Sequence, residues 1–228
     1  MLKVSIIVPA YNEEKRIEST LKSLFLSFPK DEIIVISNGS IDNTVEILKR
    51  WRKEKTNIRC LEFSEKLGKG RAIIEGLKVA NGDIIGFVDA DDAFDLNYLK
   101  NSLSDLSYYD CIIASKWKGK NIFQVNEPMM RKGLSRVWNI LVRVLLNLEY
   151  RDTQAGAKFF KKEVKEKIGY NFISEGFAFD AELLSKIKEN NFKIKEAYIP
   201  SRFMKGSTFG LRHCQNMFKD LIKIWWSK

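Results

Sequence analysis

Asp89 and Asp91 stand one residue apart, directly after the apolar run Ile84-Ile85-Gly86-Phe87-Val88. In extended backbone, residues i and i+2 project to the same side, so two carboxylates at this spacing can converge on one hard cation. Oxygen donors suit Mg²⁺ or Mn²⁺, and such an ion usually takes substrate phosphate oxygens as well. The same D-x-D also occurs in acidic loops that cap helices, so its meaning depends on where the fold puts it. A second candidate is Gly68-Lys69-Gly70, followed by Arg71. At a helix start, its backbone N–H groups could face an anion; the alternative is a turn with an exposed lysine. The segment lacks the G-x-x-x-x-G-K-[ST] pattern of a phosphate-binding loop, and no G-x-G-x-x-G follows the first strand. The one histidine, His213, falls near the C-terminus and no G-x-S-x-G is present, which disfavours nucleophilic triads.

The elements around these residues alternate. Val4–Val8 is a β-branched run stopped by Pro9; 33–36, 58–63 and 84–88 are further strand-like runs. Between them, apolar residues at helical spacing predict helices over 13–27 (capped by Asn12), 42–51 (capped by Asp42) and 68–80. This rhythm argues for a mainly parallel sheet covered on both faces, whose ligands bind beyond the carboxyl ends of its strands. Pro9 to Glu13, Asn38 to Ser40 and Asp89 to Asp92 all fall there. The second half is less regular: a strand near 111–114, a helix over 129–148, a turn into a strand at 152–160, a helix over 179–188, a strand at 193–198 and a helix over 210–226. With no repeat or linker, 1–228 reads as a single domain.

Charge divides unevenly. Residues 1–109 carry 16 Lys+Arg against 17 Asp+Glu; residues 110–228 carry 23 against 12. A basic second half points to an anionic partner, whether nucleic acid, a membrane surface or a phosphorylated substrate, or else to a solubilising surface. Three scattered cysteines (Cys60, Cys111, Cys214) suggest neither a disulfide framework nor a zinc site. Met1–Ser5 runs straight into a strand-like segment, unlike a signal peptide. The stretch 137–148 is too short and polar to span a bilayer.

The motifs together resemble family 2 glycosyltransferases of the GT-A fold, and within them the polyprenyl-phosphate hexose synthases (dolichyl-phosphate mannose and glucose synthases). The resemblance covers nearly the whole chain. It runs through Val8-Pro9-Ala10-Tyr11-Asn12-Glu13-Glu14, Asn38-Gly39-Ser40, Gly68-Lys69-Gly70-Arg71-Ala72, Asp89-Ala90-Asp91, Ser135-Arg136 and Phe179-Asp180-Ala181-Glu182. Its most specific part is Asp152-Thr153-Gln154-Ala155-Gly156-Ala157-Lys158. The resemblance implies a metal-dependent transferase whose first half (1–109) binds the nucleotide sugar and whose second (110–228) binds the acceptor. Pro9, Tyr11, Glu13 and Asn38 would line the nucleotide, with Asn38 where the family often has aspartate. Lys69, Ala90 and Gln154 would join the donor site. Asp89 and Asp91 would hold Mg²⁺ or Mn²⁺ against the donor diphosphate; the family's occasional further ligand is replaced by Ala93. Arg202 and Lys205 would neutralise the leaving group. Lys116, Arg131, Ser135 and Arg136 would grip the acceptor phosphate. Asp180 and Glu182 would face the sugar or orient basic partners, but on a helix they cannot share one side.

The implied reaction moves a hexose from GDP-mannose or UDP-glucose, mannose favoured, to a polyprenyl (dolichyl) phosphate with inversion. The alternative is a soluble or polysaccharide acceptor. Such chemistry joins a lipid to a water-soluble donor, so the 129–148 and 210–226 helices, basic and amphipathic with aromatic residues, are expected at an anionic membrane surface. The implied setting is the cytoplasmic face, with a separate membrane-anchoring protein as a possible partner and no nucleic acid.

Overall fold

The computed structural model describes residues 2–121, 123–125, 127–202 and 211–228, with side chains of the last segment from 213 onward. Its centre is one seven-stranded sheet in the order β3-β2-β1-β4-β6-β5-β7. The strands are β1 (Val4–Ala10), β2 (Glu32–Asn38), β3 (Ile58–Phe63), β4 (Ile84–Val88), β5 (Cys111–Ser115), β6 (Ala157–Lys161) and β7 (Ile194–Tyr198). All run parallel except β6, which lies antiparallel between β4 and β5. This strand joins the two halves of the chain. It carries the end of the Asp152–Lys158 motif alongside β4, with Val88 opposite Ala157 and Phe87 opposite Lys158.

Period-2 alternation sends successive residues of each central strand to opposite layers. Ile6 and Val8 of β1 pack with α1 (Ile17–Ser27), α2 (Thr44–Glu54) and α4 (Leu96–Ser102). Ile7 faces the other layer, with α3 (Lys69–Val79), α5 (Met129–Leu146), α6 (Lys162–Ile168), α7 (Phe179–Glu189) and α8 (Leu211–Trp226). Both layers are dry, which is why β1, β2 and β4 read as continuous apolar runs.

The expected helix over 13–27 begins only at Ile17. Asn12 does not cap it. Asn12 adopts a left-handed backbone (φ 53°) and its Oδ1 accepts from the Ile41 amide at 2.9 Å. The amides of Glu13 and Glu14 donate to Thr44 Oγ1 (2.8 Å) and Asp42 Oδ2 (3.1 Å). Residues 12–14 are thus held by the loop after β2, and long-range hydrogen bonds displace the helix start. Helices α4 and α6, seven residues each, are not among the helices the sequence pattern predicts.

Candidate functional site

The carboxyl ends of β1, β2 and β4 open on the same side, as a parallel sheet requires. Asp89 leaves β4, and its amide donates to the Gly156 carbonyl at 2.8 Å. Gly156 leaves room for Asp89: a Cβ there would drive into the carboxylate and force it to move. Lys69, in the first turn of α3, places Nζ 2.9 Å from Asp89 Oδ1 and 3.0 Å from Asp180 Oδ2. Preceding it, Gly68 has φ 94°, and a Cβ there would strike the Glu175 carbonyl oxygen. The other Asp180 oxygen takes the ammonium of Lys158, which is fully buried and also donates to the Ala155 carbonyl at 2.7 Å. The result is an alternating chain: Asp89, Lys69, Asp180, Lys158.

Burial raises the Asp89 pKa, against the pull of Lys69, and the charges on Asp91 and Asp180 raise it further. Burial works against Asp180 too, but Lys158 and Lys69 hold its carboxyl below the ordinary aspartate range. Burial also disfavours the Lys69 ammonium, yet Asp180 and Asp89 lift its pKa above the usual lysine value. Glu13 lies close enough for Asp91 and Asp89 to add to a rise whose main cause is burial, opposed by Arg16, with which it pairs at 2.7 Å.

Asp91 Oδ1 accepts from the Ala93 amide at 3.2 Å, and Asp91 has no ion-pair partner among the described residues. Asp89 and Asp91 thus offer a hard, all-oxygen donor pair in a field made more negative by Glu13, which fits Mg²⁺ or Mn²⁺. No cluster of three or more acidic, histidine or cysteine side chains suited to a metal occurs among the described residues, so the remaining positions would fall to donor or water oxygens. The Ala90 carbonyl is fixed by Thr20 Oγ1 at 2.9 Å. The Arg202 amide donates to the Ala93 carbonyl at 2.7 Å and Phe94 bridges Ser201, bringing the exposed Arg202 beside the aspartates. Lys205 lies outside the described residues.

Among the nucleotide candidates, Pro9 does not stop β1 as expected but lies within it, paired opposite Ile36; the strand ends at Ala10 and Tyr11 follows, with Lys66 Nζ 3.8 Å from the Tyr11 ring centre. Asn38 is buried, and its Oδ1 is used by the Leu67 amide at 2.6 Å; this residue shapes the loop that leads to Lys69.

The acceptor candidates are only partly gathered. Lys116 Nζ pairs with Glu127 Oε1 at 2.7 Å, and Arg131 Nε lies 3.9 Å from the same oxygen. Ser135 follows Arg131 by one helical turn on α5, hence on the same face. Arg136 turns elsewhere: its guanidinium stacks 4.1 Å from the Trp117 ring and reaches the Arg151 carbonyl at 3.4 Å. The Asp152–Lys158 motif clamps this helix. Thr153 Oγ1 accepts from Asn139 at 3.2 Å, Asp152 Oδ2 accepts the Lys116 amide at 3.3 Å, and Glu196 accepts the amides of Arg151 and Asp152. With its amide oriented to satisfy both neighbours, Gln154 donates to the Phe177 carbonyl (2.9 Å) and accepts from Trp138 Nε1 (3.2 Å). Asp180 and Glu182 part company on α7. Glu182 binds the amides of Ile173 and Ser174, so it orders a loop, while Asp180 orients the two lysines.

Sequence reasoning missed Lys158 and Glu127 as site residues. A lysine inside the run Ala157–Lys161 was the available signal, since a cation on a buried strand requires a buried anion. Glu127 carried no comparable signal.

Helix α5 buries Asn139, Val142 and Leu146 but exposes Met130, Leu134, Val137, Ile140 and Val144. Helix α8 buries Met217, Leu221 and Ile224 and exposes Phe218, Trp225 and Trp226. No helix among the described residues is long and apolar enough to cross a membrane.

Residues 5–169 match the family described as Glycosyl transferase family 2. The chain is 29% identical to glycosyltransferase AglD of Haloferax volcanii, over 99% of this chain and 37% of that protein. It is 30% identical to a dolichyl-phosphate beta-glucosyltransferase of Trichomonas vaginalis, over 97% of this chain and 72% of the relative. The chain therefore spans little more than a third of the first relative and nearly three quarters of the second. Among solved structures, it resembles the glucosyl-3-phosphoglycerate synthase of Mycobacterium tuberculosis bound to Mn²⁺, UDP and glucosyl-3-phosphoglycerate. The TM-score there is 0.72 at 21% identity, covering 99% of this chain and 79% of that one. A mannosyltransferase of Pyrobaculum calidifontis in complex with GDP-Man and Mn²⁺ gives 0.67 at 19% identity, covering 97% and 64%. At these identities the likeness is one of fold, the GT-A arrangement.

Proposed function

The chain belongs to glycosyl transferase family 2, and from that premise we propose that it transfers glucose from UDP-glucose to a polyprenyl phosphate such as dolichyl phosphate, at a membrane surface, with inversion. Glucose replaces the mannose expected above, because several of the curated relatives are named dolichyl-phosphate glucosyltransferases. The observation that carries the reading is the pairing of two sites across β4 and β6. Asp89 and Asp91 form a carboxylate pair at the end of β4, and Lys116, Arg131 and Ser135 lie beyond β5 on the side held by the Asp152–Lys158 motif.

Asp89 and Asp91 would hold Mg²⁺ or Mn²⁺. When bound, the ion would supply charge stabilisation to the departing nucleoside diphosphate. Lys69 and Arg202 would take phosphate oxygens of the donor. The acceptor needs no general base: a phosphomonoester, with a second pKa of about 6, is already largely ionised at neutral pH. What the chain has to do is bring two anions together, and Lys116, Arg131 and Ser135 provide charged and neutral donors for that. One in-line displacement on an α-linked donor yields the β linkage that the relatives' names carry.

The exposed apolar stripe of α5, flanked by Arg131, Arg136 and Arg143, and the Trp225-Trp226 end of α8 are the surfaces we assign to the bilayer. The cytoplasmic face is the side where a nucleotide sugar would be available, and a separate anchoring protein would add to this peripheral contact.

The test is label transfer from UDP-glucose and, separately, GDP-mannose to dolichyl phosphate with Mg²⁺ or Mn²⁺, beside an Asp91→Ala control. Organic-phase label from UDP-glucose alone, lost in the control, is expected. Label from GDP-mannose alone would restore mannose. Metal-dependent donor hydrolysis without lipid product would move the acceptor to a soluble or polysaccharide class. An α-linked product would remove the inversion.

A further inference from the structure

Lys69 sits where a metal would need to bind. Its ammonium lies 2.9 Å from Asp89 Oδ1, while Asp180 holds the same ammonium from another side at 3.0 Å. Asp89 is anchored through its backbone, its amide donating to the Gly156 carbonyl, and its carboxylate lies against Gly156, where a Cβ would meet it. Asp180 is equally fixed, being wholly buried and tied to the buried Lys158. The adaptable member is Lys69, a point charge on a four-carbon stem with rotatable donors. A divalent ion at Asp89 and an ammonium on the same carboxylate would repel strongly in this partly buried setting.

Resting on the assignment of Asp89 and Asp91 to the metal, we propose that Lys69 is a built-in cation that competes with the metal for Asp89. Asp180, backed by Lys158, is the positioning residue that draws it off. In the metal-free protein Lys69 offsets the repulsion between Asp89 and its acidic neighbours. When metal and donor arrive, Lys69 leaves Asp89, keeps Asp180 and takes a diphosphate oxygen. The metal alone therefore binds weakly, because it has to displace an ammonium that has no other anion to gain. Metal with nucleoside diphosphate binds cooperatively, because the diphosphate supplies that anion. Free metal is thus not retained on an empty site.

The test titrates the full chain with Mn²⁺ and reads free Mn²⁺ by electron paramagnetic resonance, with and without UDP. In the wild type, UDP tightens Mn²⁺ binding by about tenfold or more. Lys69→Gln binds Mn²⁺ alone about tenfold tighter than wild type and loses most of the gain from UDP, while Lys69→Arg keeps the wild-type pattern. Asp180→Asn shifts the other way, binding Mn²⁺ alone about tenfold more weakly, because the ammonium then rests wholly on Asp89. Opposite signs at two neighbouring positions are what general structural damage would not produce. Circular dichroism checks folding, and if Asp180→Asn does not fold, the sign at Lys69→Gln decides. An unchanged or weaker Mn²⁺ affinity in Lys69→Gln overturns the proposal alone. Failure of the wild type to bind Mn²⁺ even with UDP, or unchanged binding in Asp91→Ala, overturns the metal assignment and this proposal with it.

Discussion

The two regions we assign to the donor and the acceptor use charge in opposite ways. Around Asp89, two carboxylates and two ammoniums alternate in a chain whose Asp180–Lys158 end is wholly buried. Around Arg131, one carboxylate, Glu127, faces two cations, Lys116 after β5 and Arg131 on α5, and Arg131 itself is half-exposed. A buried chain of this kind is rigid: each member is costly to leave unpaired, so the geometry is set before any ligand arrives. The acceptor side is loosely committed. Glu127 offers its cations an oxygen to hold, and an incoming phosphate can offer them more. On the proposed function, rigidity would serve the small diphosphate, and looseness would suit a lipid headgroup.

The largest effect expected from this contrast is on stability. Lys158→Met would leave Asp180 with one partner in a buried position, costing about 3–5 kcal/mol. Urea unfolding measures it, and a cost below about 1 kcal/mol would mean the buried chain is not the rigid element argued for. Arg131→Ala should leave stability nearly unchanged and raise the acceptor KM about tenfold, a charged hydrogen bond being worth about 1.5–3 kcal/mol. Glu127→Gln should move KM the other way, severalfold lower, because the resident anion is gone. Among the described residues its Oε2 is buried with no hydrogen-bond partner, so glutamine, which keeps one oxygen for Lys116, loses no hydrogen bond at that atom. A rise in KM in Glu127→Gln would make that residue a positioning element and erase the contrast.

A smaller change is expected at the α5 stripe. Leu134→Glu, at a position 52% exposed, should weaken binding to anionic vesicles about fivefold, with transfer to a short-chain, water-soluble acceptor retained. Unchanged co-sedimentation would move the membrane contact to α8 or elsewhere.

The smallest effect lies in the sheet itself. Burial pushes the Cys111 thiol up to about 12 from an ordinary value near 9. Above pH 9 the unfolded chain releases this proton and the folded chain keeps it, so stability falls as pH rises. Cys111→Ala should remove about 1 kcal/mol of the loss between pH 8 and pH 10, read by urea unfolding. The same burial should leave Cys111 unlabelled by thiol reagents at pH 8 until the protein unfolds.

The sequence by itself determined the alternation of β1 to β4 with α1 to α3, since apolar runs and helical spacing are local signals, and it located Asp89-Ala90-Asp91 at a strand end. It also marked Asp152 to Lys158 as a special segment. It did not reveal that this segment leads into an antiparallel strand, β6, between β4 and β5, because strand direction depends on partners distant in the chain. Nor did it reveal that Asn12 braces the loop after β2, or that Asn38 uses its oxygen on Leu67. Only the tertiary structure decided how the four charges at positions 69, 89, 158 and 180 pair, and that Glu127 lies between Lys116 and Arg131. Residue types announce that charges exist. Which ones meet is set by packing, where burial makes every unpaired charge expensive and leaves few arrangements that satisfy them all.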